Sequence, residues 1–197
     1  MFLSGVPETN EIRSYIDSAR AECGFVMNLT RLWAWRVDFA QAFAKMRVGL
    51  MSGSTLEQRE FALLVCVTAT SLGDSYCALA WGARLASATD PETAASILRD
   101  ETPASLTVRE AALAEWARKV VTEPNSTNEA DVERLRRAGM SDKEIFEATA
   151  FVALRLAFST INDALGTLPD LQLTEIAPPA VRAAVDFGRP VAPRRSS

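Results

Sequence analysis

Residues 73–81 read GDSYCALAW, and this order predicts a helix that begins with a cysteine in its first turn. The glycine ends the preceding helix, Asp74 is a preferred N-cap residue, and Cys77 then lies just inside the new helix. The positive end of the helix dipole favours a thiolate there, whereas the nearby Asp74 carboxylate opposes it. Cys77 is therefore either a reactive thiol or a small buried side chain, the usual fate of a free cysteine.

Outward from this stretch the periodicity is helical nearly everywhere, and no convincing strand or hairpin is present. The predicted helices are 8–22, 30–50, 56–72 capped by Thr55, 75–88, a short one from Pro91, 107–122, 128–138 capped by Thr127, and 142–165. The sequence thus predicts an all-α fold, a helical bundle of one domain over residues 1–170. Residues 171–197 carry four prolines, which predict an extended C-terminal arm with one short helix around 178–186.

The composition is that of one soluble domain, with 197 residues of which 48% are hydrophobic and 23% charged. The formal net charge of -4 argues against a nucleic-acid partner. The basic residues Arg189, Arg194 and Arg195 are predicted to form a solvated tail rather than a binding patch. Neither a signal peptide nor an apolar run of about 20 residues is evident, so we expect no membrane partner and a cytoplasmic location.

The chain has three cysteines and no histidine. Cys23 and Cys66 are predicted to be inert, although Cys66 could resolve an oxidised Cys77 if the two sulfurs came within disulfide reach. The cysteines lack the spacing of a zinc site, and the nine glycines form no phosphate loop or dinucleotide fingerprint. We therefore predict no metal site and no cofactor.

Two charged residues stand beside or within apolar helical stretches. Glu60 precedes such a stretch, where it either interacts with the helix dipole or acts as a partly buried general acid/base. Arg155 interrupts residues 151–158, and helical spacing puts Arg155, Ser159 and Asn162 on one face. That face either lines a pocket or joins a subunit interface. Since a buried charge needs a partner, Glu60 and Arg155 are predicted to approach each other near the cysteine.

Five segments over residues 20–170 are similar to one known family. They are GFVMNL at 24–29, LEQRE at 56–60, YC at 76–77, LRRAGMSDKEI at 135–145, and NDALG at 162–166 followed by PD at 169–170. Together they resemble the carboxymuconolactone decarboxylase superfamily, in its alkylhydroperoxidase D-like, peroxidase-related branch.

The resemblance implies an all-α homo-oligomer and, in many members, a Cys-x-Tyr-Cys pair with a histidine four residues beyond it. In those members the first cysteine attacks a hydroperoxide, the pair closes to a disulfide, and a glutamate and the histidine relay protons. By resemblance Cys77 is the second cysteine, Asp74 replaces the first, and Trp81 replaces the histidine. Glu60 matches the glutamate, slightly further upstream than the family spacing. The two-cysteine mechanism therefore cannot run here.

Three functions remain open. A peroxidase-related oxidoreductase, the favoured prediction, would use Cys77 alone as a weak antioxidant enzyme for a hydroperoxide, with an external thiol as resolving partner. A non-redox lyase or isomerase would use Glu60, Asp74 and Arg155 on a small organic acid. An inactive binding or assembly protein would have Trp81 filling the site. The side chains predicted to bind the substrate are Tyr76, Trp81, Arg155 and Asn162.

The chain is also predicted to form a homo-oligomer, a dimer or larger, because one layer of short helices rarely buries so much apolar surface. The aromatic residues of 30–50 belong to that surface. The arm residues Val181, Val185 and Phe187 are predicted to pack along a neighbouring chain.

Overall fold

The described part of the chain, residues 1–194 of a computed structural model, is helical and contains no strand. In chain order the helices are α1 Asn10–Cys23, α2 Asn28–Trp33, α3 Val37–Ser52, α4 Gln58–Leu72, α5 Ser75–Ala88, α6 Pro91–Leu98, α7 Val108–Thr122, α8 Glu129–Arg137, α9 Asp142–Ala164, α10 Leu171–Ile176 and α11 Pro179–Ala184. Short 3-10 helices at Ala34–Arg36 and Pro124–Ser126 supplement them. The predicted all-α fold is confirmed.

Helix α4 lies at the centre because nearly its whole length is apolar. Every side chain from Phe61 to Ala69 is buried, and a helix that is apolar on all sides belongs in a core. It packs against α5, α6, α7 and α9. The ring of Phe61 meets Phe151 of α9 edge-on, with the ring centroids 4.7 Å apart. The core thus fixes α5 and α9, the two helices that carry the candidate site, on one central element.

A tight turn joins α4 to α5. Gly73 adopts the left-handed conformation, with φ 72°, and its N–H caps α4, which is the conformation that glycine adopts most easily. Asp74 then begins α5 as its N-cap. Further along α5, a Cβ added at Gly82 would lie 2.8 Å from the side chains of Leu98 and Val181. The absence of a side chain at Gly82 therefore lets α6 and α11 approach α5 closely.

Two predicted helix caps are wrong by one or two residues. Helix α4 is capped by Glu57 rather than Thr55, because Glu57 and Glu60 bind each other's backbone N–H groups in a reciprocal capping box. Helix α8 is likewise capped by Asn128 rather than Thr127, again in a reciprocal box. In both cases a better-placed acceptor follows the threonine within two positions.

The single helix predicted over residues 30–50 is broken into α2, a 3-10 turn and α3. Arg36 leaves the helical region, with φ -145° and ψ 79°, and its guanidinium binds Asp38 in the first turn of α3 at 2.7 Å. The bend lets Trp33 turn inward, where its ring stacks on Phe158 of α9 at 5.0 Å between centroids. No glycine or proline marks this bend, so the apolar pattern runs through it unbroken.

The segment from residue 171 differs from the predicted extended arm. It forms α10 and α11, of which α11 is the short helix expected around 178–186, and Val181 is fully buried in the chain's own core. Val185 and Phe187 pack on the same core. The prediction that Val181 packs along a neighbouring chain is therefore wrong. Arg195 lies outside the described residues, and the division at residue 170 stays a prediction.

The end of this segment returns to the start of α5. Ser75 donates a hydrogen bond from Oγ to the carbonyl of Arg189 at 2.7 Å. Gly188 has φ 74°, and a Cβ there would lie 2.3 Å from the carbonyl oxygen of Gly73. Residues 188 and 189 thus lie directly against the turn that positions Cys77.

No helix among residues 1–194 is long and apolar enough to cross a bilayer. The homo-oligomer stays a prediction. Consistent with it, apolar side chains on α3 and just before it are exposed to solvent, and clusters of this kind often mark protein interfaces. They are Trp35, Phe39, Met46 and Val48.

Candidate active site

The N-terminus of α5 places the cysteine. Asp74 accepts a hydrogen bond at Oδ1 from the backbone N–H of Cys77, at 2.9 Å. Asp74 is fully buried, and Cys77 is 3% exposed. The same carboxylate therefore caps the helix and holds the thiol in the first turn, where the helix dipole acts on the sulfur.

Helix α9 supplies the opposite wall. Arg155 donates from Nη2 to the sulfur of Cys77 at 2.8 Å. Ser159 donates from Oγ to Oδ2 of Asp74 at 2.5 Å, and its oxygen lies 3.8 Å from the sulfur. The predicted face of Arg155, Ser159 and Asn162 is thus buried against α5, and a thiol, a carboxylate, a hydroxyl and a guanidinium meet there.

The protonation of Cys77 reflects competing effects. Burial raises the pKa of its thiol to about 12, Arg155 lowers that pKa, and Asp74 raises it again. In the resting state the sulfur therefore carries its proton at neutral pH, and the guanidinium N–H points at a thiol. A thiolate formed here keeps Arg155 as its direct counter-ion.

Aromatic rings surround the guanidinium of Arg155. Its Cζ lies 4.8 Å from the ring centroid of Phe158 and 5.6 Å from that of Trp81. Arg84 stacks on the same Trp81 ring at 4.4 Å. Within residues 1–194 Arg155 forms no ion pair with a carboxylate, and its buried Nε–H has no acceptor. The positive charge next to the sulfur is therefore stabilised by π faces rather than by an acid.

Glu60 lies elsewhere, and the predicted Glu60–Arg155 pair is not formed. Its Oε1 accepts from Nε of Arg109 at 2.6 Å, and Arg109 also donates to Glu144 of α9 at 2.7 Å. Glu60 belongs to the first turn of α4, whereas Cys77 follows the last turn of that helix. The 15 residues of α4 span about 20 Å, which separates the two residues along the helix.

Comparison with solved structures bears on this geometry, although neither a family profile nor a curated protein matches the chain by sequence. An uncharacterized peroxidase-related protein from Ralstonia eutropha JMP134, described as an alkylhydroperoxidase AhpD core, superposes with a TM-score of 0.77 at 27% identity, covering 86% of this chain and 93% of that one. An uncharacterized peroxidase-related protein from Silicibacter sp. TM1040 gives 0.76 at 24% identity, with coverages of 87% and 91%. In fold the chain is similar to the alkylhydroperoxidase D-like, peroxidase-related proteins. The debrominase Bmp8, in a cysteine-to-alanine variant bound to 2,3,4-tribromopyrrole, has the same fold, with a TM-score of 0.69, 16% identity and coverages of 94% and 96%.

Two substitutions distinguish this alkylhydroperoxidase D-like chain from the motif it resembles. Asp74, in place of the first cysteine, caps α5 and accepts the hydroxyl of Ser159. Trp81, in place of the histidine, is buried, and the guanidinium groups of Arg84 and Arg155 both lie over its ring. A carboxylate and a cation thus occupy the surroundings of the remaining thiol, where the family motif has a second thiol and an imidazole.

The other two residues predicted to bind substrate have structural partners. Tyr76 is buried and donates its hydroxyl to Asp170, which precedes α10. Asn162 accepts at Oδ1 from the indole N–H of Trp33 at 2.8 Å, and its Nδ2 is buried without an acceptor. Tyr76 therefore holds the C-terminal segment, and Asn162 holds α2 against α9. Their predicted contact with a substrate stays a prediction.

Sequence reasoning missed Arg84, Phe158 and Arg47. Arg84 follows Trp81 by one helical turn and Phe158 follows Arg155 in the same way, so helical spacing could have found both. Arg47 lies on α3, far away in sequence, and no local pattern connects it with the site. Among the described residues no group of histidine, cysteine, aspartate or glutamate is arranged to hold a metal ion.

Asp163, next to this centre, provides a stability prediction. Burial and the Asp74 carboxylate raise its pKa to about 6, and Arg189 opposes them. A raised folded-state pKa contributes stability that is complete below the unfolded value of 3.8 and is lost as the pH rises through 6. We expect Asp163→Asn to raise the free energy of unfolding at pH 8 by about 1 kcal/mol, a figure reduced because the residue is partly exposed to solvent.

Urea unfolding at pH 8 and pH 4 measures this effect. The gain should vanish at pH 4, where the wild-type carboxyl is also neutral. Asp17→Asn, on the exposed face of α1, serves as the control and should change stability by less than about 0.5 kcal/mol at either pH. Equal stability of Asp163→Asn and wild type at pH 8 would contradict the argument.

Proposed function

We propose that the protein is a one-cysteine thiol oxidoreductase that slowly reduces a small organic hydroperoxide. The observation that carries the proposal is the 2.8 Å contact between the guanidinium of Arg155 and the sulfur of Cys77. A guanidinium in that place stabilises the thiolate and then the negative charge that develops on the leaving oxygen of a peroxide. The similarity to peroxidase-related proteins supports the same class of chemistry.

Asp74 and Cys77 supply the groups that the oxidative step requires. Asp74, which lies within hydrogen-bond reach of the thiol, takes its proton. The thiolate of Cys77 attacks the terminal oxygen of the hydroperoxide, an S–O bond forms, and the O–O bond breaks. The departing alkoxide takes the proton back from Asp74 and leaves as an alcohol. The sulfur is oxidised to a sulfenic acid, and the peroxide is reduced.

The reductive steps require an external thiol, because Asp74 occupies the place of a second cysteine and Cys66 is enclosed in the core, where burial raises its pKa. One molecule of that thiol condenses with the sulfenic acid to a mixed disulfide and water. A second molecule displaces Cys77 and leaves as the oxidised disulfide. Because Cys77 is buried and protonated at rest, turnover is expected to be weak.

Replacement of Cys77 by serine tests this function. We expect Cys77→Ser to abolish consumption of cumene hydroperoxide with dithiothreitol as reductant, because the nucleophile is lost, whereas Cys66→Ser keeps the wild-type rate. Mass spectrometry with a dimedone-type probe should label Cys77 in the wild type treated with one equivalent of peroxide. Peroxide consumption that survives Cys77→Ser, or labelling confined to Cys23, would refute the proposal.

A second candidate uses the same sulfur on a halogenated aromatic compound. The debrominase Bmp8 has this fold, and the π faces of Trp81 and Phe158 beside Arg155 suit a flat aromatic ring. The thiolate of Cys77 would take bromine from carbon as a sulfenyl bromide while the ring gains a proton, and two external thiols would then release bromide and a disulfide. Bromide release from 2,3,4-tribromopyrrole with dithiothreitol, dependent on Cys77, would favour this reaction over peroxide reduction.

A further inference from the structure

Three arginines from three helices interact electrostatically with one another, and one of them, Arg155, contacts Cys77. They are Arg47 of α3, Arg84 of α5 and Arg155 of α9. Burial is the largest cause that lowers the pKa of Arg47 and of Arg84, and the charge of Arg155 is the second largest in each case. None of the three forms an ion pair with a carboxylate of residues 1–194. We name them the arginine cluster.

The geometry of the cluster centres on Trp81. The guanidinium of Arg84 lies 4.4 Å from the centroid of that ring, and the guanidinium of Arg155 lies 5.6 Å from it. Arg155 is 4% exposed, and its buried Nε–H has no acceptor. The cluster therefore holds at least one donor that is oriented, desolvated and unused.

Such an arrangement is unfavourable unless something compensates it. Arg155 is buried, whereas Arg84 is exposed and Arg47 partly exposed, so the repulsion between like charges is felt most at Arg155. A guanidinium group has donors and no acceptors, so the arginines cannot satisfy one another. Asp74 forms no ion pair with any of the three arginines, and its two oxygens accept from the N–H of Cys77 and the hydroxyl of Ser159. An anion with free lone pairs is the missing component.

We propose that the arginine cluster binds the carboxylate of a small organic acid whose apolar body lies against Trp81 and Phe158. A planar carboxylate matches the guanidinium fork, and the aromatic walls suit an apolar body. A phosphate monoester is a poorer occupant, because burying its second charge costs more desolvation free energy. The inference rests on the proposed function in one respect: it makes the substrate that is reduced a hydroperoxide that carries a carboxylate.

Binding can be tested without turnover. Benzoate is titrated calorimetrically into Cys77→Ser protein, with benzamide as the neutral analogue of the same shape and inorganic phosphate as the competing anion. We expect saturable binding of benzoate and at least about tenfold weaker binding of benzamide and of phosphate. Arg84→Gln and Arg47→Gln in the same background should each weaken benzoate binding about tenfold, since each removes a charged donor.

The matched control is Arg137→Gln, which removes an exposed arginine of α8 and should leave benzoate affinity unchanged. Circular dichroism on each variant checks the fold, and Arg47 and Arg84 are chosen because both reach the surface. The inference is overturned if benzoate does not bind, if benzamide binds equally well, if phosphate binds as tightly as benzoate, or if neither Arg84→Gln nor Arg47→Gln weakens binding.

A kinetic comparison separates this inference from the proposed function. We expect wild-type kcat/KM for a hydroperoxide bearing a carboxylate to exceed that for its methyl ester by about tenfold. Peroxidase activity equal on acid and ester, without benzoate binding, would refute the acid site and leave the function intact. Benzoate binding without any peroxidase activity would refute the function and leave the acid site intact.

Discussion

Methionine in place of Arg155 is expected to lower kcat/KM for an organic hydroperoxide by about 100-fold, which corresponds to about 2.7 kcal/mol of transition-state stabilisation. The guanidinium of Arg155 donates directly to the sulfur at 2.8 Å, and no other cation contacts that sulfur within residues 1–194. Methionine keeps much of the length and apolar bulk and removes only the charge and the donors. The expected loss is therefore chemical rather than structural.

The pH dependence of thiol alkylation provides a readout that a packing defect would not change. Burial raises the pKa of Cys77 to about 12, and Arg155 is the main effect that lowers it. In Arg155→Met the pKa should therefore rise further, and the rate of alkylation of Cys77 by iodoacetamide should fall at each pH between 8 and 10. Arg155→Lys, which restores a positive charge without the fork, should recover part of both activity and alkylation rate.

Stability should respond to Arg155→Met in the opposite direction. A buried cation without a carboxylate partner has a desolvation penalty that its π contacts offset only in part, so the free energy of unfolding should stay equal or rise by about 1 kcal/mol. The Glu60–Arg155 pair expected from the sequence would instead make loss of Arg155 destabilising by about 3–5 kcal/mol. A large destabilisation, or unchanged kcat/KM and alkylation rate, would contradict the role given to Arg155.

The sequence predicts helix boundaries well where a side chain binds the backbone at the helix end. Asp74, Thr107 and Ser141 each accept a hydrogen bond from the first turn of a helix, and the helices that they cap were predicted to begin within one residue of where they do. The bend at Arg36 could not be found in this way, because no glycine or proline marks it and tertiary packing of Trp33 decides it. The return of residue 188 to Gly73 is similarly a long-range contact.

The candidate site was predictable to the extent that it repeats helical spacing. Asp74 and Cys77 are three residues apart on one helix, and Arg155 and Ser159 are one turn apart on another, so each pair was expected to act together. That these two pairs face each other depends on how α5 and α9 pack on α4, which spacing does not show. Glu60 was misplaced for the same reason, since its position along α4 rather than its chemistry separates it from the sulfur.

The actual partners of Glu60 lead to the largest expected effect on stability. Arg109 of α7 lies between Glu60 of α4 and Glu144 of α9, and these two carboxylate side chains are only 7% and 13% exposed. Burial raises the pKa of Glu144, but hydrogen bonds from Arg109 and Ser141 outweigh burial and hold that pKa at about 2. Three helices of the core are therefore joined by one guanidinium.

Arg109→Met is expected to lower the free energy of unfolding at pH 7 by about 3 kcal/mol, because it leaves two largely buried carboxylates without a counter-ion. The exposed pair of Arg137 with Glu133 gives the matched control, and Arg137→Met should change stability by less than about 0.5 kcal/mol. Adding Glu60→Gln and Glu144→Gln to Arg109→Met should restore most of the loss if uncompensated charge is its cause.

The sign of the pH dependence gives a second check. In the wild type the depressed pKa of Glu144 contributes stability that is present above the unfolded value of 4.5 and is lost as the pH falls toward 2. In Arg109→Met the part of that contribution that comes from Arg109 is lost, and protonation relieves the buried charge, so the difference between the two proteins should shrink as the pH falls below about 4.5. Urea unfolding at pH 7, 5 and 3.5 measures the difference. A loss that stays constant over this range would mean that Arg109 stabilises the core by packing rather than by charge.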